Sequence, residues 1–181
     1  QPSFLYAKSS PTQIPGTWKI GEVRGGTWRY TAIRSDGTLW TWGDNQHGAL
    51  GLNQPEATYY SSPVQIGSEN NWKQLNGNRS HVLAMKTDNT LWGWGTNTSG
   101  QLGLGEGGPT DNVGVRRSSP VQIPGTEWHS LASNYTHDAS YAYKNDGSLW
   151  AWGHNDNGSL GVGDAHSRSS PTQIPGRWTS I

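Results

Sequence analysis

Apolar and polar positions alternate most sharply at Leu39-Trp40-Thr41-Trp42, where a period of two sends Trp40 and Trp42 to one face and Leu39 and Thr41 to the other. Both faces carry bulk, so this segment is predicted to be a strand sandwiched between two packed sheets. Upstream, Tyr30 to Arg34 is a β-prone run stopped by Ser35-Asp36-Gly37, a strong turn signal. The stretch from Gln13 through Trp18 to Ile20 reads as a further extended segment punctuated by Pro15-Gly16, and Ser9 to Ile20 is predicted to be one strand. Downstream, Gly43, the turn at 45–48 and the Leu50-Gly51 pair supply glycines where backbone takes positive φ or approaches closely.

The pattern then returns. Ser-Ser-Pro begins at Ser9, Ser61, Ser118 and Ser169, at spacings of 52, 57 and 51 residues. The segments LWTWGDNQHGALGL (39–52), LWGWGTNTSGQLGL (91–104) and LWAWGHNDNGSLGV (149–162) agree at eight of fourteen positions. Structural roles fall to the recurring residues: Trp40 and Trp42, Trp92 and Trp94, Trp150 and Trp152, with Gly43, Gly95 and Gly153. Trp18, Trp72, Trp128 and Trp178 also recur in register, so ten of the eleven Trp are scaffold positions, expected to be buried between blades with each indole N–H on a backbone acceptor. The chain divides into 1–8, a leader or the end of a preceding blade; repeats at 9–60, 61–117 and 118–168; and the start of a fourth at 169–181. Short strands repeated in this way predict an all-β protein, a β-propeller of four-stranded blades with about three blades present. The density of Gly, Pro and Trp excludes a helical repeat.

The motifs W-x-x-I/L, A-x-K/R-x-D-G and L-W-x-W-G-x-N-x-x-G-x-L-G together resemble the repeat of the regulator of chromosome condensation family, over about residues 9–181. The near-identical units resemble its bacterial or bacteriophage versions. The resemblance implies a seven-bladed ring with about fifty residues per blade, whereas the period of WD repeats is shorter and the kelch double-Gly signature is out of register. His81, three residues before Ala84, fits the family; Arg29 before Ala32 and Ala139 before Ala142 differ, and Asn89 replaces the Gly of the Asp-Gly turn. A seven-bladed ring at this period needs about 364 residues, so three units form an arc. The chain is therefore expected to be a segment of a longer protein, or to complete a ring or filament with further copies. It is not expected to behave as a well-formed monomer, because each end leaves a sheet face and a strand edge uncovered.

Composition narrows the functional classes. The 181 residues are 31% hydrophobic and 14% charged, with 25 Gly, 10 Pro and 11 Trp but one Phe and one Met. A mean hydropathy of −0.77 would suit a disordered chain, yet zero net charge and 10% aromatic content do not. No run approaches the roughly 20 apolar residues of a bilayer span, so membrane insertion is excluded. A pI near 7.2 and no basic run longer than Arg116-Arg117 leave no electrostatic footprint for nucleic acid. The absence of Cys removes disulfides, thiolate zinc sites and Cys nucleophiles, and leaves the redox compartment open.

Candidate chemistry is sparse. His47, His81, His129, His137, His154 and His166 show no metal-ligand spacing and read mostly as solvated loop residues. Asp44-Asn45 and Asp156-Asn157 look like pieces of calcium loops, but the equivalent Thr96-Asn97-Thr98 holds no carboxylate. No nucleophile elbow, phosphate loop or carboxylate pair assembles. The reading is a protein without catalysis, metal or cofactor.

Specific binding is placed where the repeats differ. The segments at 52–60, 104–117 and 162–168 vary in length and chemistry and offer Tyr59, Tyr60, Arg116, Arg117, His166 and Arg168, types favoured at interface hot spots. Trp28 has no counterpart in the other repeats, which makes it a ligand-stacking candidate beside the alternative of local packing. The expected function is a non-catalytic interaction module of a larger bacterial surface or bacteriophage virion protein, located outside the cell and acting in adhesion or assembly. Its partners would be proteins, a neighbouring subunit or the continuing chain, with a surface glycan as a variant. The alternative is an intracellular regulatory propeller that binds a small GTPase or another protein. The family resemblance also implies nucleotide exchange on Ran, but the basic surface that accompanies it is missing from this neutral chain.

Overall fold

The computed structural model describes residues 10–107, 116–132 and 138–178. Among these residues twelve strands form three four-stranded antiparallel sheets, each a blade. Blade 1 holds β1 (Trp18–Gly25), β2 (Arg29–Arg34), β3 (Leu39–Asp44) and β4 (Tyr59–Gln65) in that order. Blade 2 repeats the order with β5 (Trp72–Gly77), β6 (His81–Lys86), β7 (Leu91–Thr96) and β8 (Arg116–Ile123), and blade 3 with β9 (Trp128–Leu131), β10 (Ala139–Lys144), β11 (Leu149–Gly153) and β12 (Arg168–Ile174).

The blades are offset by one strand from the sequence units at 9–60, 61–117, 118–168 and 169–181. Each Ser-Ser-Pro segment described is the outer strand of the preceding sheet: Val64 lies opposite Thr41, and Thr172 opposite Ala151. Sequence similarity marks the period but not its phase, which is set by the strand that closes each sheet. Ser9 to Ile20 is not one strand, since residues 10–17 carry no strand and β1 starts at Trp18. The leader at 1–8 lies outside the described residues.

Gly43, Gly95 and Gly153 stand opposite Arg29, His81 and Ala139 in the β2–β3 type of pairing. Each has φ between 98° and 100°. A Cβ there would lie 2.3, 2.5 and 2.3 Å from the carbonyl oxygens of Trp28, Ser80 and Asp138. Any side chain would therefore break the end of the central strand pair. Asn89, at the family's turn glycine, keeps the left-handed conformation with φ 65°, matching Gly37 and Gly147 at 82° and 80°.

The core lies between blades. Ile33, Leu39 and Ile66 of blade 1 pack on Trp72, Leu75, Val82 and Trp94 of blade 2. Leu83, Met85, Leu91 and Ile123 of blade 2 pack in the same way on Trp128, Leu131, Ala142 and Trp152 of blade 3. Trp94 and Trp152 are wholly buried, and each indole N–H donates to a carbonyl of the preceding blade: Ala49 at 3.1 Å, Gln101 at 2.9 Å. The seat is a glycine. A Cβ on Gly51 or Gly103 would come within 2.8 Å of that indole nitrogen.

Trp40, Trp92 and Trp150 occupy equivalent sites, but they are only half-buried. Each donates its N–H to a hydroxyl two residues back, Thr38, Thr90 or Ser148, at 2.8–2.9 Å. Each also lies beneath a cation: Arg34 at 3.6 Å, Lys86 at 3.9 Å, Lys144 at 4.4 Å. Burial is complete instead at Trp94, Trp152 and Trp128; Trp92 and Trp150 pack against the same inter-blade clusters but are only partly covered. The N–H groups of Trp72 and Trp128 have no acceptor among the described residues, so the expected backbone partner fails there.

Gly103 and Gly161 have nearly the same φ, 68° and 70°, but only Gly103 carries an indole; the nearest atom to a Cβ on Gly161 is Ile174 Cγ2 at 3.7 Å. Gly103→Ala should therefore cost the backbone strain plus an overpacking penalty of about 1–3 kcal/mol, while Gly161→Ala pays only the strain, about 1–2 kcal/mol. Urea denaturation of both variants measures the difference; equal losses would remove the seat from the account.

Candidate interaction face

One end of the arc carries the described parts of the loops at 52–60, 104–117 and 162–168. The buried Asn of the W-G-x-N motif builds it: Asn45 Nδ2 donates to the carbonyls of Gln54 and Pro55, both at 2.9 Å, and its Oδ1 accepts from Leu50 N–H at 3.1 Å. Asn97 and Asn155 repeat the clamp on Glu106 and Leu102, and on Asp164, His166 and Leu160. The first two loops also hook the outer strand of the next blade, Asn53 N–H donating to the Ser118 carbonyl at 2.7 Å and Gly105 N–H to the Ser169 carbonyl at 2.8 Å. Variable sequence is thus held on fixed posts.

Beneath the face runs a buried polar network. The Arg29 guanidinium, 4% exposed, donates to the carbonyls of Ala49, Asn78 and His81 at 2.9–3.2 Å, and burial lowers its pKa to about 10. Its partners are carbonyl dipoles that tie blade 1 to blade 2. At the next junction His81 Nε2 lies 3.1 Å from Asn78 Nδ2 and 3.0 Å from Ser140 Oγ, which in turn donates to the Gln101 carbonyl at 2.8 Å. His81 is wholly buried, so the solvated-loop reading of the histidines fails there; His137 lies outside the described residues. Burial, opposed by Asp138 and reinforced by Arg29, pushes its pKa down to about 4.

The seven candidate binding residues share this face but do not form one pocket. Tyr60, Arg117 and Arg168 are in register opposite Gly43, Gly95 and Gly153, at the start of each outer strand. The arginines are paired: Arg116 bridges across blades to Glu56, Arg117 holds Glu106, and Arg168 meets Asp164 at 2.6 Å. Tyr59 is 76% exposed, and the exposed His166 ring stands 3.6 Å from Asp164. Trp28 is 72% exposed beside a cleft of about 20 Å³ that includes His47 and Arg79, room for about one water and none of the other six candidates. The arginines thus shape the loops, and Trp28 and Tyr59 are the large side chains presented. Residues 108–115 lie outside the described residues.

The opposite end holds a groove of about 710 Å³ between blades 1 and 2. Its signal in the sequence was the repeated Trp-Lys pair, Trp18-Lys19 and Trp72-Lys73, hidden among positions read as scaffold.

A family model described as the Regulator of chromosome condensation (RCC1) repeat matches residues 36–85, 88–133 and 146–181, and a second model of that description matches 72–101. The ultraviolet-B receptor UVR8 of Arabidopsis thaliana is 28% identical over 151 residues, which cover 81% of this chain and 32% of the receptor. The regulator of chromosome condensation of Xenopus laevis is also 28% identical over 151 residues, covering 81% of this chain and 33% of its own. Among solved structures, Prp20p of Saccharomyces cerevisiae, reported with its binding to Gsp1p and histones, superposes with a TM-score of 0.71 at 20% identity, over 85% of this chain and 38% of that one. Human WBSCR16 gives a TM-score of 0.70 at 21% identity, over 90% and 39%. The chain spans about a third of the length of these relatives, and the superpositions show the propeller fold.

Because His81 titrates near 6.5 when unfolded and near 4 when folded, the unfolded chain binds the extra proton between those values. Stability is present above about pH 6.5 and falls as pH drops toward 4, by up to about 3 kcal/mol. Denaturation midpoints measured across this window should fall for the parent chain and stay flatter for His81→Gln.

Proposed function

We propose that this chain, which belongs to the Regulator of chromosome condensation (RCC1) repeat family, is a non-catalytic protein-interaction module whose arc is completed by further blades of the same kind. We read the whole as an adhesion or assembly platform at a bacterial surface or on a bacteriophage virion, a reading supported by the near-identity of the repeats. A small GTPase as partner is the second reading, supported by the reported binding of Prp20p to Gsp1p.

The observation that carries the proposal is the unlike fate of like residues. Trp94 and Trp152 are buried by the preceding blade, whereas Trp42 stays half-exposed, stacked on Tyr30 at 5.7 Å with an interplanar angle of 17°. At the other end Gly161 and Gly163 have nothing tighter than 3.7 Å where a further blade would pack. Tyr141 of the same blade takes the Ser159 carbonyl, at 2.7 Å, that corresponds to those of Ala49 and Gln101. Among the described residues two faces built to the pattern of internal interfaces therefore have no blade packed on them, and such interfaces are obligate in kind.

Light scattering decides the assembly: the expected mass exceeds that of a 19.7 kDa monomer, and Trp42→Ala should lower it. A monodisperse 19.7 kDa particle with a cooperative melt would overturn the reading. In cross-linking capture with the assembled protein, the double change Trp28→Ala and Tyr59→Ala should reduce recovered partner while leaving the assembly mass unchanged.

A further inference from the structure

The groove at the end opposite the loops is an unusual place in the repeat. Residues 19–22 of β1 lie opposite Ile33 alone, while the equivalent positions of β5 and β9 hold a single extra residue, Lys73 and His129. The wide bulge of blade 1 thrusts Ile20 into solvent at 99% exposure on the groove rim, next to Trp18 and across from Trp72. An apolar side chain held this far out on a strand does nothing for the core.

Charge in the groove is unbalanced. Lys19, Arg34 and Lys73 line it against one acid, Asp36. Each ammonium group has a neutral acceptor, Lys19 Nζ donating to the Lys73 carbonyl at 2.7 Å and Lys73 Nζ to Asn89 Oδ1 at 2.5 Å. Burial lowers the Lys73 pKa and Lys19 lowers it further, with Asp88 opposing. The nearby carboxylates are fixed by neutral donors, Asp36 on Thr38 N–H and hydroxyl at 3.0 and 2.6 Å, Asp88 likewise on Thr90, and Glu22 on Leu75 N–H at 2.6 Å, and they act on Arg34, Lys73 and Lys19 only at a distance, with no ion pair to these cations among the described residues.

Of the three equivalent cations one has a carboxylate partner, since Lys144 of blade 3, like Arg34, lies over its Trp without an ion pair among the described residues. Lys86, the blade 2 counterpart of Arg34, meets Glu69 at 2.8 Å. Arg34 lies over Trp40 with no carboxylate in ion-pair range among the described residues, and its buried Nε has no hydrogen-bond acceptor. A groove lined by half-buried Trp18, the edge of buried Trp72 and exposed Ile20 beside three cations, in a chain of zero net charge, is complementary to a ligand that brings apolar surface and a few carboxylates together. A long polyanion would need a basic stripe.

We propose that this groove binds an extended acidic segment of a partner protein, a carboxylate reaching Lys19, Lys73 and Arg34 while a large apolar side chain packs against Trp18, Trp72 and Ile20. The proposal rests on the reading of the chain as an interaction module, and it adds a second site on the face away from Trp28 and Tyr59. At about 710 Å³ the opening is within the range of pockets that enclose drug-sized ligands.

The test is fluorescence anisotropy on the assembled protein with a labelled Glu-Leu-Phe-Asp-Glu peptide, its Lys-Leu-Phe-Lys-Lys counterpart and a single-stranded oligonucleotide. The acidic peptide alone should bind, and Lys19→Glu and Ile20→Ser, both on the exposed bulge, should each weaken it by about tenfold or more. Light scattering of the same variants should match the parent, so that loss of the groove is distinguished from loss of the assembly. Equal binding of the basic peptide, tighter binding of the oligonucleotide, or affinity unchanged in both variants would overturn the proposal.

Discussion

The structure depends on one contact: an indole from each blade lying on a glycine of the blade before it, with its N–H on the adjacent carbonyl. Trp94 over Gly51 and Trp152 over Gly103 show it twice. Burying a ring of this size contributes a few kcal/mol at about 25 cal/mol per Å². Among the described residues no β-ladder joins one blade to the next, so the arc is held by side-chain packing of this kind together with isolated hydrogen bonds such as Trp72 N–H to the Gly37 carbonyl at 3.1 Å. Glycine is required twice over, for its left-handed backbone and for the absence of a Cβ.

That contact gives the arc a direction. Every blade offers a seat on one side and a plug on the other, and the loop that carries the seat also hooks the next outer strand through Asn53 and Gly105. Seat and loop are held together by the buried Asn of the same motif. The eight shared positions of the signature therefore describe one joint: Leu39 and Leu50 in the core, Trp40 under its cation, Trp42 as plug, Gly43 at the strand crossing, Asn45 as clamp, Gly48 against Ser118 and Gly51 as seat. Buried polar groups reinforce the joint from within. Arg29 and His81, at one register position, both reach into the following blade, the first through carbonyls and the second through Ser140.

Fixed joints leave the rims free to differ. Among the described residues of the loop face Arg116, Arg117 and Arg168 meet acids while Trp28 and Tyr59 stand out, whereas on the opposite face Lys19, Lys73 and Arg34 have no ion pair and the bulge of β1 leaves Ile20 exposed. One asymmetry came from variable loops and could be read from their sequences. The other came from two extra residues in a segment that otherwise looked repetitive.

The repeats alone determined the fold class, the strand around Leu39 to Trp42 and the glycines that follow, because a motif recurring at fixed spacing must serve the same packing each time. Even Asn89 was visible as a departure, and its left-handed φ shows how it is tolerated. The phase of the blades, with Ser-Ser-Pro closing the preceding sheet, could not be read there, since a period has no beginning until strands pair. The ranking of the tryptophans was hidden for a similar reason: Trp40 and Trp42 alternate identically along the chain, but only the neighbouring blade decides which ring loses its water. The same holds for His81, a loop residue by composition and a buried one by contact, and for Lys19 and Lys73, fifty-four residues apart in sequence yet joined at 2.7 Å. Local pattern fixes what a residue can do, and long-range packing selects which of those things it does.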